Sequence, residues 1–465
     1  MTPAPTLLTP LPSSPTSTLL LALALTLALV LLPASHAAAA STPRQEQAIA
    51  AVESGASTIA FADAWGFNPD DATDALQAAI DSKARTVIVP FTGSPWIVRP
   101  IRLRGDLDLV FEAGVLVLAK AGDFLGGGDT LFRAQDATNI TIRGHGATLR
   151  MRKADYQSPP YPRAEWRMGL AFLGCRNVLV DGLRIESSGG DGIYVGSSRA
   201  NRWSENVTLR NCVCHDNHRQ GISIISAVHL LVENCTLSGT QGTAPEAGID
   251  LEPDEPDERL IDCVIRNCVI ADNAGNGILV WLKPLTSAST PVSIRFENCH
   301  VRLNHPTTPA PIGWSGISVG EISDDGPRGL IEFIRCTSEN TGREAVRITG
   351  KSARGARVRF IECRWRNTWT AHHRAYGGPR SPILIHTPDP ARCQDTGGIE
   401  FIDCRVVDNL DTPVVRFEDL DGTASLRDVR GTLHVEGMPN PRLRLGPLTR
   451  DVDLRLLALA PSTPP

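Results

Sequence analysis

The chain carries no block of basic residues. Its 46 Lys and Arg are outnumbered by 51 Asp and Glu, giving a formal net charge of -5. With no cationic face to meet phosphates, it is not expected to bind nucleic acid. Beyond Ala40 no apolar run is long enough to cross a bilayer, which excludes a polytopic helical membrane protein. No cysteine lies near Ala37–Ala40, so a lipid-modified N-terminus is not expected. No helical pattern separates the apolar strands, which excludes a βαβ crossover fold. The repeats are too short for the four-stranded blade of a propeller. Paired metal ligands are also missing. The tightest spacing is Cys212-Val213-Cys214, and no structural metal site is expected from it.

The 465 residues are 42% hydrophobic and 21% charged, a composition that can bury a large core. Leu19–Leu32 is an unbroken run of Leu, Ala, Thr and Val, followed by Pro33 and the small residues Ala37–Ala40. This reads as the core and cleavage region of a signal peptide over residues 1–40, which implies a secreted or periplasmic protein with no membrane attachment after cleavage. The basic start usual for such leaders is missing, and an uncleaved anchor is the alternative. Export would permit disulfides, yet most of the eleven cysteines recur at one place in a repeat: Cys212, Cys235, Cys268, Cys299, Cys336, Cys363 and Cys404. A residue that returns once per repeat reads as a stacked apolar core position rather than a bridge.

Internal periodicity is the strongest signal. Asn206-Val-Thr-Leu-Arg-Asn-Cys212 returns as His229–Cys235, Leu260–Cys268, Val292–Cys299, Leu330–Cys336, Val358–Cys363 and Ile399–Cys404. Each copy alternates apolar and polar residues, as a half-buried strand does. A second set lies between them: Gly192–Val195, Gly221–Ile224, Gly248–Leu251, Gly277–Val280, Gly316–Val319 and Ala345–Ile348. Such short units bury an apolar face only by stacking. The expected fold is all-β: a single-stranded right-handed parallel β-helix of about ten coils, spanning residues 41–438. A C-terminal strand or tail would follow at 439–465. Asn211, Asn234, Asn267 and Asn298 fall at one turn position and predict an internal ladder of amides bonded to the backbone of the next coil.

Asp71-Ala-Thr-Asp-Ala-Leu-Gln-Ala-Ala-Ile80 predicts a short amphipathic capping helix with Asp or Thr as N-cap, leading into Thr86–Val89 as the first coil. This cap and the repeats after it resemble the pectin-lyase-like β-helix superfamily over roughly residues 60 to 435. Gly189-Gly190-Asp191-Gly192-Ile193 is similar to the Asn-Thr-Asp-Gly-Ile strand of polygalacturonase-type glycoside hydrolases. Arg219-Gln220-Gly221-Ile222-Ser223-Ile224 is similar to their Gly-His-Gly-Ile-Ser-Ile strand. The pattern departs at three points. No Asp-Asp pair lies between the two strands, Gln220 stands in place of His, and Arg347-Ile348-Thr349 stands in place of Arg-Ile-Lys. The resemblance implies the superfamily and carbohydrate work, not a polygalacturonase.

The insertions Arg152–Arg167, His215–Arg219, Ser238–Glu246, Asn304–Trp314 and Arg366–Arg380 all precede Gly-Ile strands, so they border one sheet edge. They carry aromatic and imidazole groups suited to sugar rings: Tyr156, Tyr161, Trp166, Trp314, Trp369, His372, His373 and Tyr376. Within the sheet, alternation points Ile249 and Leu251 inward, and Asp250 and Glu252 outward, about 7 Å apart by strand rise. Paired carboxyls at such spacing suit glycosidic acid/base chemistry. Asp250 and Glu252 are therefore the candidate catalytic pair, with Asp191 as an alternate carboxylate. His218, Arg219, Gln220, Tyr194, Trp166, Trp281, Lys283 and Arg347 are candidate substrate-binding residues. Two other readings stay open for the acidic run Asp250–Glu258. Asp250, Glu252 and Asp254 could hold Ca²⁺ in a polysaccharide lyase, with Lys283 or Arg219 taking the proton. The run could also be a solvated acidic turn, in a non-catalytic glycan-binding or surface β-helix. Otherwise no cofactor is expected. The expected partner is a polysaccharide or oligosaccharide, and the protein is expected to be a monomer.

Overall fold

The computed structural model describes residues 42–302, 315–370, 380–419 and 421–460. The apolar leader and the aromatic groups Trp314, His372, His373 and Tyr376 lie outside the described residues. The chain divides after Ala39, and everything below concerns the unit that follows.

That unit is a right-handed parallel β-helix. All paired strands are parallel, in one 24-stranded and one 12-stranded sheet. Each coil gives one strand to the smaller sheet, the Gly-Ile strands in the middle of the stack. To the larger it gives two short strands, such as Ser204–Arg210 and Val213–His215, which merge into one long strand per coil from Asp395–Val407 onward. Twelve strands imply slightly more coils than the repeats suggested. The extra ones, such as Ile101–Leu103 and Leu443–Arg444, are short segments near the ends where the sequence repeat fades. The boundary expected at residue 438 falls inside the solenoid. Thr449–Leu459 pairs in register with Ser425–Glu436 and continues the stack, because an alternating strand can join the ladder without the Cys-turn signature.

All eleven cysteines are free and buried. The recurrent ones point into the core just after a turn. The residue before each adopts left-handed backbone: φ is +55° at Asn211, +54° at Asn234, +55° at Asn267, +51° at Asn298 and +50° at Asp403. Asn and Asp tolerate that region better than other L-residues, which explains the Asn-Cys pattern. The expected internal amide ladder at these positions is not what forms. Asn211 Nδ2 donates to Asp181 Oδ1 at 2.8 Å, and Asn298 Nδ2 to Asn267 Oδ1 at 3.1 Å, both side chain to side chain at the surface. Buried amides bonded to backbone occur one turn later. There Asn217 accepts from Ser188 N, and Asn273 accepts from Thr240 N and donates to Leu237 O.

Aromatic rings stack along the later core. Phe296, Phe333, Phe360 and Phe401 lie with centroids 4.9, 4.9 and 5.4 Å apart, each contact contributing about 0.5–1.5 kcal/mol beyond burial. At the N-terminal end the helix Thr73–Asp81 buries Leu76, Ala79 and Ile80 against the first coil. Its N-cap residue is Ala72. Asp71 replaces the cap from one position earlier, accepting from Thr73 N at 3.1 Å. A longer helix, Pro43–Glu53, precedes it with a Thr42–Gln45 capping box.

The Gly-Ile strands need their glycines for a steric reason. A Cβ on Gly192 would lie 2.6 Å from the carbonyl oxygen of Gly221. On Gly221 it would lie 2.4 Å from that of Gly248, and on Gly277 2.6 Å from that of Gly316. Main chain meets main chain from coil to coil, and the ladder ends at Ala345.

Candidate active site

The smaller sheet aligns Tyr194, Ser223, Asp250, Leu279, Ser318 and Arg347 in one row, as alternation predicted. The neighbouring row contains Glu252, then Trp281, Gly320 and Thr349 in register. Between these rows and the loop at Ala244–Pro245 lies a groove of about 360 Å³. Arg219, Glu252, Asn276, Leu279, Trp281, Ser318, Arg347 and Thr349 line it. Four sequence candidates therefore share one groove: Arg219, Glu252, Trp281 and Arg347. The Trp281 ring lies across Gly320 of the next coil, with Cζ3 2.8 Å from where a Cβ would stand. Arg347 Nε is 3.3 Å from Thr349 Oγ1.

Asp250 lies on the outer row but is not exposed. It is wholly buried, among the side chains of Gln220, Ser223, Glu252 and Arg219. Its Oδ2 accepts from Gln220 Nε2 at 2.7 Å and its Oδ1 from Ser223 Oγ at 2.5 Å. Burial, and then the charge of Glu252, push its carboxyl well above the usual range against the pull of Arg219. Glu252 is partly exposed to the groove, with Arg219 Nη2 at 3.6 Å. Burial raises its carboxyl too, with the charges of Asp254 and Glu165 adding to it, while Arg219 and a hydrogen bond with Asp250 oppose. The two carboxyls are in contact rather than separated by a strand rise. Asp191 is also wholly buried, and neither of its oxygens has a hydrogen-bond partner. Burial pushes it up to about 7 despite Arg219. Arg219 thus faces Asp191, Asp250, Glu252 and, at 3.5 Å, Glu165. The arrangement is a compact carboxyl cluster around one guanidinium, able to retain protons at neutral pH.

Several expected sugar contacts turn out to be internal. Gln220 is fully buried and bridges Asp250 and the Ala247 amide, so it holds Asp250 rather than substrate. His218 is buried, with Nε2 2.9 Å from Thr243 Oγ1 and Nδ1 3.4 Å from Gln157 Nε2. Its pKa is lowered by burial and by Lys153, Arg163 and Arg167. Tyr194 folds over Gly196 beside the carboxyl cluster, outside the groove lining. Trp166 is 52% exposed and outside the groove lining, its backbone packed on Gly190. Lys283 is exposed and outside the groove. Tyr156 and Trp369 are buried packing residues, and Tyr161 packs edge-on against Tyr156 at 5.0 Å.

The acidic run after Glu252 is a built turn. Glu258 accepts from the backbone amides of Asp254 and Glu255 at 2.6 and 3.0 Å, and from Ser197 Oγ at 2.6 Å. For the Ca²⁺ reading, Asp250 is already held by two donors and Asp254 is exposed on the turn. Among the described residues no three His, Cys, Asp or Glu side chains converge as metal ligands. Sequence reasoning missed Glu165, which arrives from a non-periodic insertion. It also missed the holding role of Ser223, although the row through Tyr194 and Asp250 contains it.

A family profile described as "Right handed beta helix region" matches residues 139–306. The uncharacterized protein YclG of Bacillus subtilis (strain 168) is 32% identical over 164 residues, 32% of this chain and 28% of that protein. The SPbeta prophage-derived uncharacterized protein YorA of the same organism is 23% identical over 282 residues, 57% of this chain and 46% of that protein. The chain thus spans less than half the length of these curated relatives. Among solved structures, it is similar to the family 28 exopolygalacturonase of Yersinia enterocolitica (TM-score 0.59, 13% identity, 86% of this chain and 79% of that chain). It is also similar to the mannuronan C-5 epimerase AlgE6 A-module of Azotobacter vinelandii (0.52, 15%, 86% and 99%). A third is a tailspike protein mutant of E. coli bacteriophage HK620 in complex with a hexasaccharide (0.52, 13%, 82% and 70%). Together with the strand topology, these show a right-handed parallel β-helix. At such identities the likeness is one of fold.

Proposed function

We propose that this β-helix is a secreted or periplasmic carbohydrate-active enzyme that hydrolyses a glycosidic bond in a polysaccharide or oligosaccharide. The observation carrying this reading is the convergence of Asp191, Asp250 and Glu252 on Arg219 beside the groove that Arg219 and Glu252 line, with all three carboxyls raised by burial. The fold, shared with an exopolygalacturonase and with a saccharide-bound tailspike, supports carbohydrate work in general.

Glu252 is the member that reaches the groove, and it acts as the general acid. Its proton passes to the leaving glycosidic oxygen, water adds to the anomeric carbon, and the proton released by that water returns to the carboxyl cluster. Asp250 is a positioning residue: held by Gln220 and Ser223, it lies against Glu252, whose carboxyl is raised by burial and by the charges of Asp254 and Glu165. Arg219 fixes the orientation of Glu252, and Trp281 offers an apolar face to a sugar ring.

The test is a polysaccharide panel incubated with the mature protein, with and without EDTA. New reducing ends without ultraviolet absorbance, unaffected by EDTA, are expected. Glu252→Gln should lower the rate by about 10²- to 10⁴-fold. An absorbing unsaturated product lost on chelation would instead make it a Ca²⁺-dependent lyase, and glycan retention without turnover a binding protein. Full activity in Glu252→Gln would remove Glu252 from the mechanism.

A further inference from the structure

The groove contains a hydrogen-bond donor that the protein itself leaves unused. Ile222, Ile249 and Ile278 stand in register on successive coils. Gln220 lies two residues before the first and Asn276 two residues before the last, so the two amides occupy one turn position two coils apart. Each turns its carbonyl oxygen to the next coil. Gln220 Oε1 accepts from Ala247 N at 2.8 Å, and Asn276 Oδ1 accepts from Ser315 N at 3.3 Å. Fixing the oxygen also fixes the amino group. In Gln220 that group is spent on Asp250. For Asn276 the position equivalent to Asp250 is occupied by Ser318, and Nδ2 has no acceptor among the described residues. Asn276 is 5% exposed and lines the groove, so the donor is held rigidly.

The side chains around that donor are carbon. Ala244 and Pro245 line the groove with Asn276, and the Pro245 backbone is seated on Gly275, where a Cβ would lie 1.7 Å from the Pro245 carbonyl oxygen. Leu279 and Trp281 line it too. From Tyr194 to Arg347, Leu279 is the one member of the outer row without a polar group. A sugar hydroxyl suits this lining poorly, because its own O–H needs an acceptor and it brings no alkyl group to bury. An acetyl substituent suits it well. Its carbonyl oxygen only accepts, and its methyl group can pack on Ala244, Pro245 and Leu279. Resting on the reading that the groove takes a glycan, we infer that it selects a sugar bearing an acetyl group, and that Asn276 is the specificity-determining residue, donating from Nδ2 to the acetyl carbonyl. Acetamido and O-acetyl sugars share this chemistry.

The test is affinity for a glycan panel, each member untreated, after mild alkali, which removes O-acetyl esters, and after strong alkali, which also removes N-acetyl groups. Titration calorimetry on the Glu252→Gln protein reads binding without turnover. The best-bound glycan is expected to carry acetyl groups and to lose roughly ten- to hundredfold in affinity when they are removed. The treatment that causes the loss tells ester from amide. Asn276→Asp keeps the oxygen that caps Ser315 and deletes the amino group. It should weaken the acetylated form by a similar factor and leave the deacetylated form no weaker. Leu279→Ser installs the residue that the same row already has at Ser223 and Ser318. It should weaken the acetylated form several-fold, and it carries the test if Asn276→Asp does not fold. Equal affinity before and after deacetylation would overturn the inference while leaving the enzyme reading intact. So would equal losses on both forms in the variants. Binding of no glycan at all would overturn both.

Discussion

Asp191→Asn is expected to stabilise the protein at neutral and alkaline pH while leaving it unchanged in acid. Asp191 is wholly buried with neither oxygen bonded, and its carboxyl is raised from 3.8 to about 7. The folded state therefore binds this proton more tightly than the unfolded chain does. Stability from this group is complete below the unfolded value of 3.8, is lost as pH rises through about 7, and stays lost above it. The total corresponds to about 4 kcal/mol. Asparagine has the shape of the protonated carboxyl but does not ionise, so the variant escapes the loss. Urea unfolding from pH 4 to pH 8 would measure it. Asp250 and Glu252 titrate in both proteins and are coupled to Asp191 by charge, so the difference between the curves reports Asp191 together with that coupling: near zero at pH 4, rising to as much as about 4 kcal/mol in favour of the variant by pH 8. Parallel curves would refute the reasoning. A variant less stable than the parent at pH 8 would do so more sharply, because it would mean that attraction to Arg219 outweighs burial.

Other outcomes follow from the same geometry. Glu165→Gln removes a negative charge beside Arg219 and lowers the Glu252 carboxyl, so the alkaline limb of the pH–rate profile should move to lower pH. An unmoved limb would separate Glu252 from that limb. Gly221→Ala pushes a Cβ to 2.4 Å from the Gly248 carbonyl oxygen and should cost about 1–3 kcal/mol in denaturant unfolding. Trp281→Ala should raise KM for the preferred glycan about tenfold with kcat little changed, as read from initial rates. A thiol reagent such as DTNB should find none of the eleven buried cysteines in the native protein and all of them after denaturation. Early reaction would contradict the core ladder.

The fold was legible because it is periodic. The strand pattern around Cys212 through Cys404 and the Gly-Ile strands set the coil and the faces, and the row Tyr194–Ser223–Asp250–Leu279–Ser318–Arg347 was read correctly from alternation alone. The site was legible only in part, because alternation reports which way a side chain leaves the sheet and not what covers it. Asp250 does leave the outer face, yet it is buried there. His218 sits in an insertion and was read as a sugar contact, but Thr243 and Gln157 enclose it. Gln220 looked like a substitute for a catalytic neighbour and proved to be a clamp on Asp250. Glu165 comes from an insertion of its own, with no repeat to reveal its partner. The last strand, expected as a strand or tail beyond the helix, keeps the stacking but lacks the turn signature by which the stack is recognised.

The glycine ladder beneath the groove has a mechanical consequence. Where peptide groups of successive coils touch directly, with core side chains such as Ile270 and Val301 packed against the same glycines, the backbone has little room to shift. The floor from Gly192 to Gly316 should behave as a stiff beam, passing load along the axis instead of absorbing it.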